Sequence, residues 1–299
     1  MQITVISDTH GLHDRIKSLN KPFINEVDGA GKMIIHAGDI TEDGSEAEVQ
    51  DFLRWFAKLP HQYKLFIGGN HDLFLEQNSM ITIGKLIPKG VYWLNNSGLI
   101  VAGIRIWGSP VTPYFLGMAF NKKRGEEIKK VWDGVPSLTD ILITHGAPAG
   151  IMDGGFGCEE LLERVQEIKP RYHLFGHAHG QSGISKVKET TFINAAMVDI
   201  PDPLEVINYK IIAEPIVFDY FPNKKEEGKG KKIMMHLCPR ANASKINFLI
   251  DCCWIQEMPL FKSFCLKAGG LRTYIATTFY LLRKIFLRIF LNFSYAKTR

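Results

Sequence analysis

Cysteine is scarce in this 299-residue chain: there are five, and Cys158 is the one that falls within the first 220 residues. A body of that size with a single thiol has no disulfide framework, which excludes the small cross-linked secreted classes and fits a reducing compartment. Long apolar runs are lacking as well. Residues 271–293 are apolar and aromatic, but Arg272, Arg283, Lys284 and Arg288 interrupt them. The longest charge-free run there, Thr273–Leu282, falls well short of the roughly 20 residues a membrane span needs. A basic excess is missing where nucleic acid would require it. Residues 1–220 carry 21 Lys and Arg against 27 Asp and Glu, a net −6, whereas 221–299 carry 15 against four, a net +11. The overall charge of +5 therefore belongs to the tail and provides no basic groove on the larger part. Met1–Asp8 has neither a basic start nor an apolar stretch of signal-peptide length, so it is expected to be a strand of the fold in a cytoplasmic protein.

What is there is ordinary globular composition, 45% hydrophobic and 22% charged, which excludes wholesale disorder. Short β-branched apolar runs alternate with amphipathic stretches through residue 220, the pattern of an α/β domain. Strands are expected at Ile3–Ser7, Met33–His36, Lys64–Ile67, Arg105–Trp107, Ile141–Thr144, His173–Phe175, Thr191–Ile193 and Ile216–Phe218. Helices are expected at Leu12–Ser18, Glu46–Lys58, Gly125–Trp132 and Glu159–Lys169. Ser45 is placed to cap the second of these, Val49, Phe52, Leu53 and Phe56 form its apolar stripe, and Pro60 follows its end. There is no internal repeat.

Five of the strands run directly into a small residue followed by a polar, metal-competent one. The segments are Ser7-Asp8-Thr9-His10, Gly38-Asp39, Gly69-Asn70-His71-Asp72, Thr144-His145-Gly146 and Gly176-His177-Ala178-His179. Ligands of open α/β sheets bind at the carboxyl ends of strands. Asp, Asn and His without Cys form a hard-to-borderline donor set, suited to Mn²⁺, Fe or Zn²⁺. A carboxylate such as Asp39 can bridge two cations, and two cations close together can clamp a phosphate and acidify a water. Singly, each motif has an ordinary explanation: Gly-Asp is a common turn, Gly-Asn-His-Asp could be a hairpin turn, and His145 alone could be a satisfied core histidine. All five, in order and each after a strand, favour one shared site.

These motifs together resemble those of the calcineurin-like metallophosphoesterase superfamily. The wording around them, Ile6-Ser7-Asp8-Thr9-His10-Gly11, His36-Ala37-Gly38-Asp39-Ile40-Thr41, Gly108-Ser109-Pro110, Phe120-Asn121 with Arg124-Gly125, and Ile143-Thr144-His145-Gly146, is similar to the metallophosphoesterase-domain-containing branch. The resemblance covers residues 1–220 and implies a two-sheet mixed α/β sandwich flanked by helices on both sides, a four-layer fold. It implies that Asp8, His10 and His179 bind one divalent ion, that Asn70, His145 and His177 bind a second, and that Asp39 bridges the two, Mn²⁺ being favoured over Fe or Zn²⁺. His71 would stabilise the transition state or protonate the leaving group, and Asp72 would set the tautomer of a site histidine. A bridging hydroxide would attack phosphorus directly, in a phosphodiesterase for small molecules such as cyclic nucleotides, with monoesters as the other substrate class. His13, Asn121 and Arg124 are candidates for substrate contacts, Arg124 because a guanidinium can clamp a phosphate. His36, His61 and His173 are expected to be core or edge histidines, Trp55, Trp93, Trp107 and Trp132 core side chains, and Cys158 a small buried hydrophobe.

Two other functions compete, a nuclease and a non-catalytic nucleotide-binding or scaffolding protein. The net charge of −6 weighs against the first and the complete motif set against the second. Residues 221–299 are expected to be an irregular basic tail with no fold of its own; the rival reading is a basic amphipathic helix lying on an anionic membrane. Lys224–Lys232 reads as a solvated linker, and Cys238, Cys252, Cys253 and Cys265 lack zinc-site spacing.

Overall fold

The computed structural model describes residues 1–19, 32–199 and 209–221. Fifteen strands lie among the described residues, named in chain order β1 (Gln2–Ile6), β2 (Lys32–His36), β3 (Tyr63–Phe66), β4 (Val91–Trp93), β5 (Ser97–Val101), β6 (Ile104–Ser109), β7 (Thr112–Pro113), β8 (Asn121–Lys122), β9 (Ile141–Thr144), β10 (Tyr172–Phe175), β11 (Gly183–Val187), β12 (Thr190–Asn194), β13 (Val198–Asp199), β14 (Lys210–Ile211) and β15 (Ile216–Asp219). Five helices accompany them: α1 (Glu46–Lys58), α2 (Leu73–Gln77), α3 (Met80–Leu86), α4 (Glu126–Trp132) and α5 (Glu159–Ile168). One sheet has the order β15-β1-β2-β3-β4, and a second has β11-β12-β10-β9-β6-β5. Both are parallel in their centres with antiparallel edges, β15 on the first and β11 and β5 on the second. The two small pairs are β7 with β8 and β13 with β14.

The layers follow from side-chain alternation along the strands. Ile3 and Val5, Met33 and Ile35, and Leu65 and Ile67 face the second sheet, where Leu99, Ile104, Ile106, Ile141, Ile143, Leu174 and Ile193 meet them. Ile6, Ile34 and Phe66 point the other way, into Val49, Phe52, Leu53 and Phe56 of α1, with Leu75 of α2 and Ile83 of α3. Buried on both faces, these strands read as near-continuous apolar runs. Helices α4 and α5 pack on each other and bury Ile128, Trp132, Leu161, Val165 and Ile168. The mixed two-sheet architecture flanked by helices is the one expected.

Helix α1 occupies Glu46–Lys58 as expected, started by a full capping box in which Ser45 accepts from the Glu48 backbone and Glu48 from the Ser45 backbone. The expected helix at Leu12–Ser18 is instead a single 3₁₀ turn, His13–Arg15. Leu12 at its start offers no capping side chain, and one turn is enough to bury His13 and Ile16. Helices α2 and α3 were not expected, because five and seven residues broken by Asn78-Ser79 are too short to show a period. His36, His61 and His173 are buried, as are Trp93, Trp107, Trp132 and Cys158, while Trp55 is half-buried. The expectations for Lys224–Lys232, the four later cysteines and the membrane-surface helix lie outside the described residues. Among the described residues, no helix is long and apolar enough to cross a membrane.

Candidate metal centre

The carboxyl ends of β1, β2, β3, β9 and β10 converge. Beyond β1 and β2 the two chains stay paired, Asp8 N donating to Gly38 O and Thr9 N to Asp39 O, so Asp8 and Asp39 leave the sheet side by side. Gly176 N donates to His145 O, which sets the turn after β10 beside the end of β9. Asp8, His10, Asp39 and His177 all have left-handed backbones, with φ of 53°, 42°, 53° and 67°. Non-glycine residues rarely adopt this region, and the strain collects where surrounding structure forces side chains inward. Two glycines make room: a Cβ on Gly176 would overlap the Asp8 carboxylate and the Ser7 hydroxyl, and one on Gly69 would overlap Asp39.

Three overlapping groups of donor atoms result, Asp8–His10–His179, His10–Asp39–His71 and Asp39–His145–His177, with the ligand atoms of each within 4.8 Å of one another. Asp39 Oδ2 lies 3.1 Å from His145 Nε2 and 3.7 Å from His10 Nε2. His145 Nε2 is 2.9 Å from Asn70 Oδ1, and His179 Nε2 is 3.3 Å from Asp8 Oδ1. The His145 and His177 rings are 5.1 Å apart and those of His10 and His179 5.2 Å. All seven expected ligands thus gather at one place. Asp8, His10, Asp39, Asn70 and His145 are buried; His177 and His179 are half-buried and form the open side.

Charge follows geometry. Burial opposes ionisation of Asp8 and Asp39, but the site histidines outweigh it and hold both carboxyls below the usual range, His179 acting first on Asp8 and His145 on Asp39. Burial likewise disfavours the His145 imidazolium, yet Asp39 and Asp8 overcome it and push its pKa up to about 9. Its two nitrogens agree: Nδ1 faces the Ala37 carbonyl at 3.0 Å and Nε2 faces Asp39 and Asn70, acceptors on both sides. His179 is raised because Asp8 outweighs burial, and His177 is lowered to about 4 by burial and then by the charge of His145. The anions here have histidine ion-pair partners, and the Nε2 of His10 is buried with no hydrogen-bond partner at all. An orphaned imidazole nitrogen facing two ionised carboxylates among oxygen and nitrogen donors fits divalent cations of the Mn²⁺, Fe or Zn²⁺ kind.

Several supports were not legible from motifs. Glu42 Oε2 sits 2.6 Å from His10 Nδ1, and the Glu42 carbonyl accepts from His71 Nδ1 at 2.9 Å, so this residue fixes both rings with their Nε2 atoms toward the site. Tyr209 stacks on His10 at 4.2 Å between centroids and meets His179 edge-on at 5.6 Å, brought there by the pairing of β13 with β14. The expected role of Asp72 is corrected. Its buried carboxylate touches no histidine and accepts from the backbone of Gly69, Ile40 and Thr41 and the hydroxyl of Thr41, tying the loop after β2 to the loop after β3. Burial and the charge of Asp39 raise its pKa to about 6. The turn after His71 swings Asp72 inward, so adjacency in sequence did not become contact.

The three expected substrate contacts each have partners of their own. His13 is buried between Phe52 and Trp55 with Nε2 on Asp51, in none of the donor groups. Asn121 is half-buried and spends its amide on the loop between the parallel strands β7 and β8, accepting from Phe115 N and donating to Thr112 Oγ1 and Ala119 O. Arg124 is exposed and within the field of Glu160.

A family model described as calcineurin-like phosphoesterase matches residues 1–181. Metallophosphoesterase domain-containing protein 1 of Homo sapiens is 36% identical over 242 residues, covering 72% of this chain and 69% of that protein. UPF0046 protein K07C11.7 of Caenorhabditis elegans is 32% identical over 240 residues, covering 75% and 76%. A solved structure of 13% identity superposes with a TM-score of 0.50 over 64% of this chain and 89% of its own, a likeness of fold alone.

Proposed function

The chain belongs to the calcineurin-like phosphoesterase family and is a metal-dependent phosphoesterase, and we propose that it hydrolyses small phosphodiesters, cyclic nucleotides among them, at a two-ion centre with Mn²⁺ as the favoured metal. The observation that carries the two-ion reading is the sharing of Asp39: its carboxylate belongs both to the His10 side and to the His145–His177 side. Asp8, His10 and His179 would hold one ion, Asn70, His145 and His177 the other. Two adjacent divalent ions supply a Lewis-acid clamp on the phosphate and a water acidic enough to attack at neutral pH.

The protein residues do the rest. His10 keeps Nε2 inward because Glu42 occupies its other nitrogen, and His145 does the same through the Ala37 carbonyl. His71 stands beside His10, ring centroids 4.6 Å apart, with its backbone N–H on Asp39 Oδ1 and its Nδ1 on the Glu42 carbonyl. Its Nε2 is left to give a proton to the departing oxygen.

The test is hydrolysis of bis(4-nitrophenyl) phosphate by the Mn²⁺-loaded protein beside its His71→Ala and Asp39→Ala variants. His71→Ala should lose roughly 10²–10⁴-fold in kcat with metal content retained. Asp39→Ala should lose both turnover and bound metal. Equal rates for all three proteins would reject the assignment.

A further inference from the structure

Two loops beside the His145–His177 half of the site each present an aromatic side chain to solvent. Phe115 and Phe156 are 48% and 50% exposed, and their ring centroids lie 6.1 Å apart, edge to face. Phe156 in turn meets the His177 ring edge-on at 5.8 Å. Tyr114 and Leu116 extend the exposed apolar surface on the first loop.

Neither loop is slack. The first joins β7 to β8, and Asn121 pins it by accepting from Phe115 N while its amide holds Thr112 and the Ala119 carbonyl. It is also fastened to Asn70, whose carbonyl accepts from Ala119 N and whose amide reaches Met118 Sδ. In the second loop the Asp153 carboxylate accepts from Gly150 N and Gly155 N, and the Asp153 carbonyl accepts from Phe156 N. The buried Asn194 donates to both Met152 O and Ala178 O, tying this loop to the turn between His177 and His179. Two phenyl rings are thus held in water by dedicated bonds, each loop fastened to a residue of the site. Apolar surface exposed beside a reaction centre and ordered in advance is what an apolar portion of a ligand requires.

We propose that Phe115 and Phe156 form a specificity rim that stacks a planar aromatic substituent of the phosphoester, an aryl group or a nucleobase, against the His177 side of the site. The inference rests on the phosphoesterase reading above. His71 flanks the His10 half, so the rim grips the substituent that stays on phosphorus while the other departs.

Three diesters with a common 4-nitrophenolate leaving group test this on the Mn²⁺-loaded protein: methyl, phenyl and thymidine-5′ 4-nitrophenyl phosphate. The phenyl or thymidine ester should exceed the methyl ester in kcat/KM by about tenfold, chiefly through KM, in line with aromatic stacking energies. A gain for one aromatic ester alone supports the rim and tells aryl from base. The Phe115→Ala/Phe156→Ala pair should erase the gain and leave the methyl ester within about twofold of wild type. The Phe115→Leu/Phe156→Leu pair, which keeps apolar bulk on both loops, should erase it as well. Equal rates on all three esters, or equal losses on all of them in the variants, would overturn the proposal. If no ester turns over, calorimetric binding of phenylphosphonate and methylphosphonate decides. A tenfold phenyl preference lost in both variants would keep the rim and reject the hydrolase reading; equal binding would reject the rim.

Discussion

Glu42 holds His10 at one end and His71 at the other, through its carboxylate and its own carbonyl. The carboxylate fixes which nitrogen of the His10 ring faces the site. Glu42→Gln preserves the shape and removes the charge, so Mn²⁺ affinity measured by calorimetry should drop by about 10–100-fold. His145 gives the site its pH dependence. Without metal its pKa is about 9, and an ion can accept only the neutral ring. Each pH unit below that value leaves about tenfold less neutral ring, so the apparent Kd for Mn²⁺ should weaken about tenfold per unit as pH falls from 9 toward 7. His179 is raised as well, by Asp8. A flat profile over that window would contradict the placement of His145 against Asp39.

At the scale of elements, the start of α1 and the metal centre are one construction. Glu48 closes the capping box with Ser45 and also accepts from the backbone of Glu42 and Asp43, holding the loop from which Glu42 reaches His10. These backbone donors keep the Glu48 carboxyl below its ordinary value although burial opposes them. Glu48→Ala should therefore cost about 1 kcal/mol, or roughly 2–4 °C in Tm. It should also weaken Mn²⁺ binding through Glu42, which a helix cap with only a local role would not do. The strand-end motifs were legible because their donors come in local pairs, Asp8 with His10, Asn70 with His71, and His177 with His179. Glu42 was not, since its partner is 32 residues away and an acidic residue in a loop has no signature of its own. Asn121 also has a part that no motif showed: its side-chain amide braces the loop that carries Phe115.

For the molecule as a whole, buried neutral histidines set the response to acid. His36 and His173 lie within the sheets, and burial lowers both pKa values to about 3. His36 accepts from Gly38 N at Nδ1 and so donates from Nε2 to the Thr9 hydroxyl. His173 Nε2 donates to Thr144 Oγ1, whose own proton goes to the Gly146 carbonyl. Both rings are therefore neutral in the fold. Between pH 6.5 and 3 the unfolded chain binds these protons and the native one does not, so stability rises with pH across that window. Each histidine removes about 1.4 kcal/mol per pH unit on acidification. Urea midpoints should fall from pH 6.5 to pH 4.5, and His173→Gln should flatten the slope by about that amount.

The order of apolar runs, the polar residue at each strand end and the split of charge at residue 220 are properties of the chain, because periodicity and composition are local. They were enough for an α/β domain with polar donors at one edge; the two-sheet fold and the set of seven ligands came from the family resemblance that those motifs carry. What Asp72 touches, which acidic residue steadies His10, where Tyr209 lies and how Phe115 comes to face Phe156 were decided by packing alone. Each of those contacts joins segments far apart in sequence, and their distance is set only when the sheets have closed on each other.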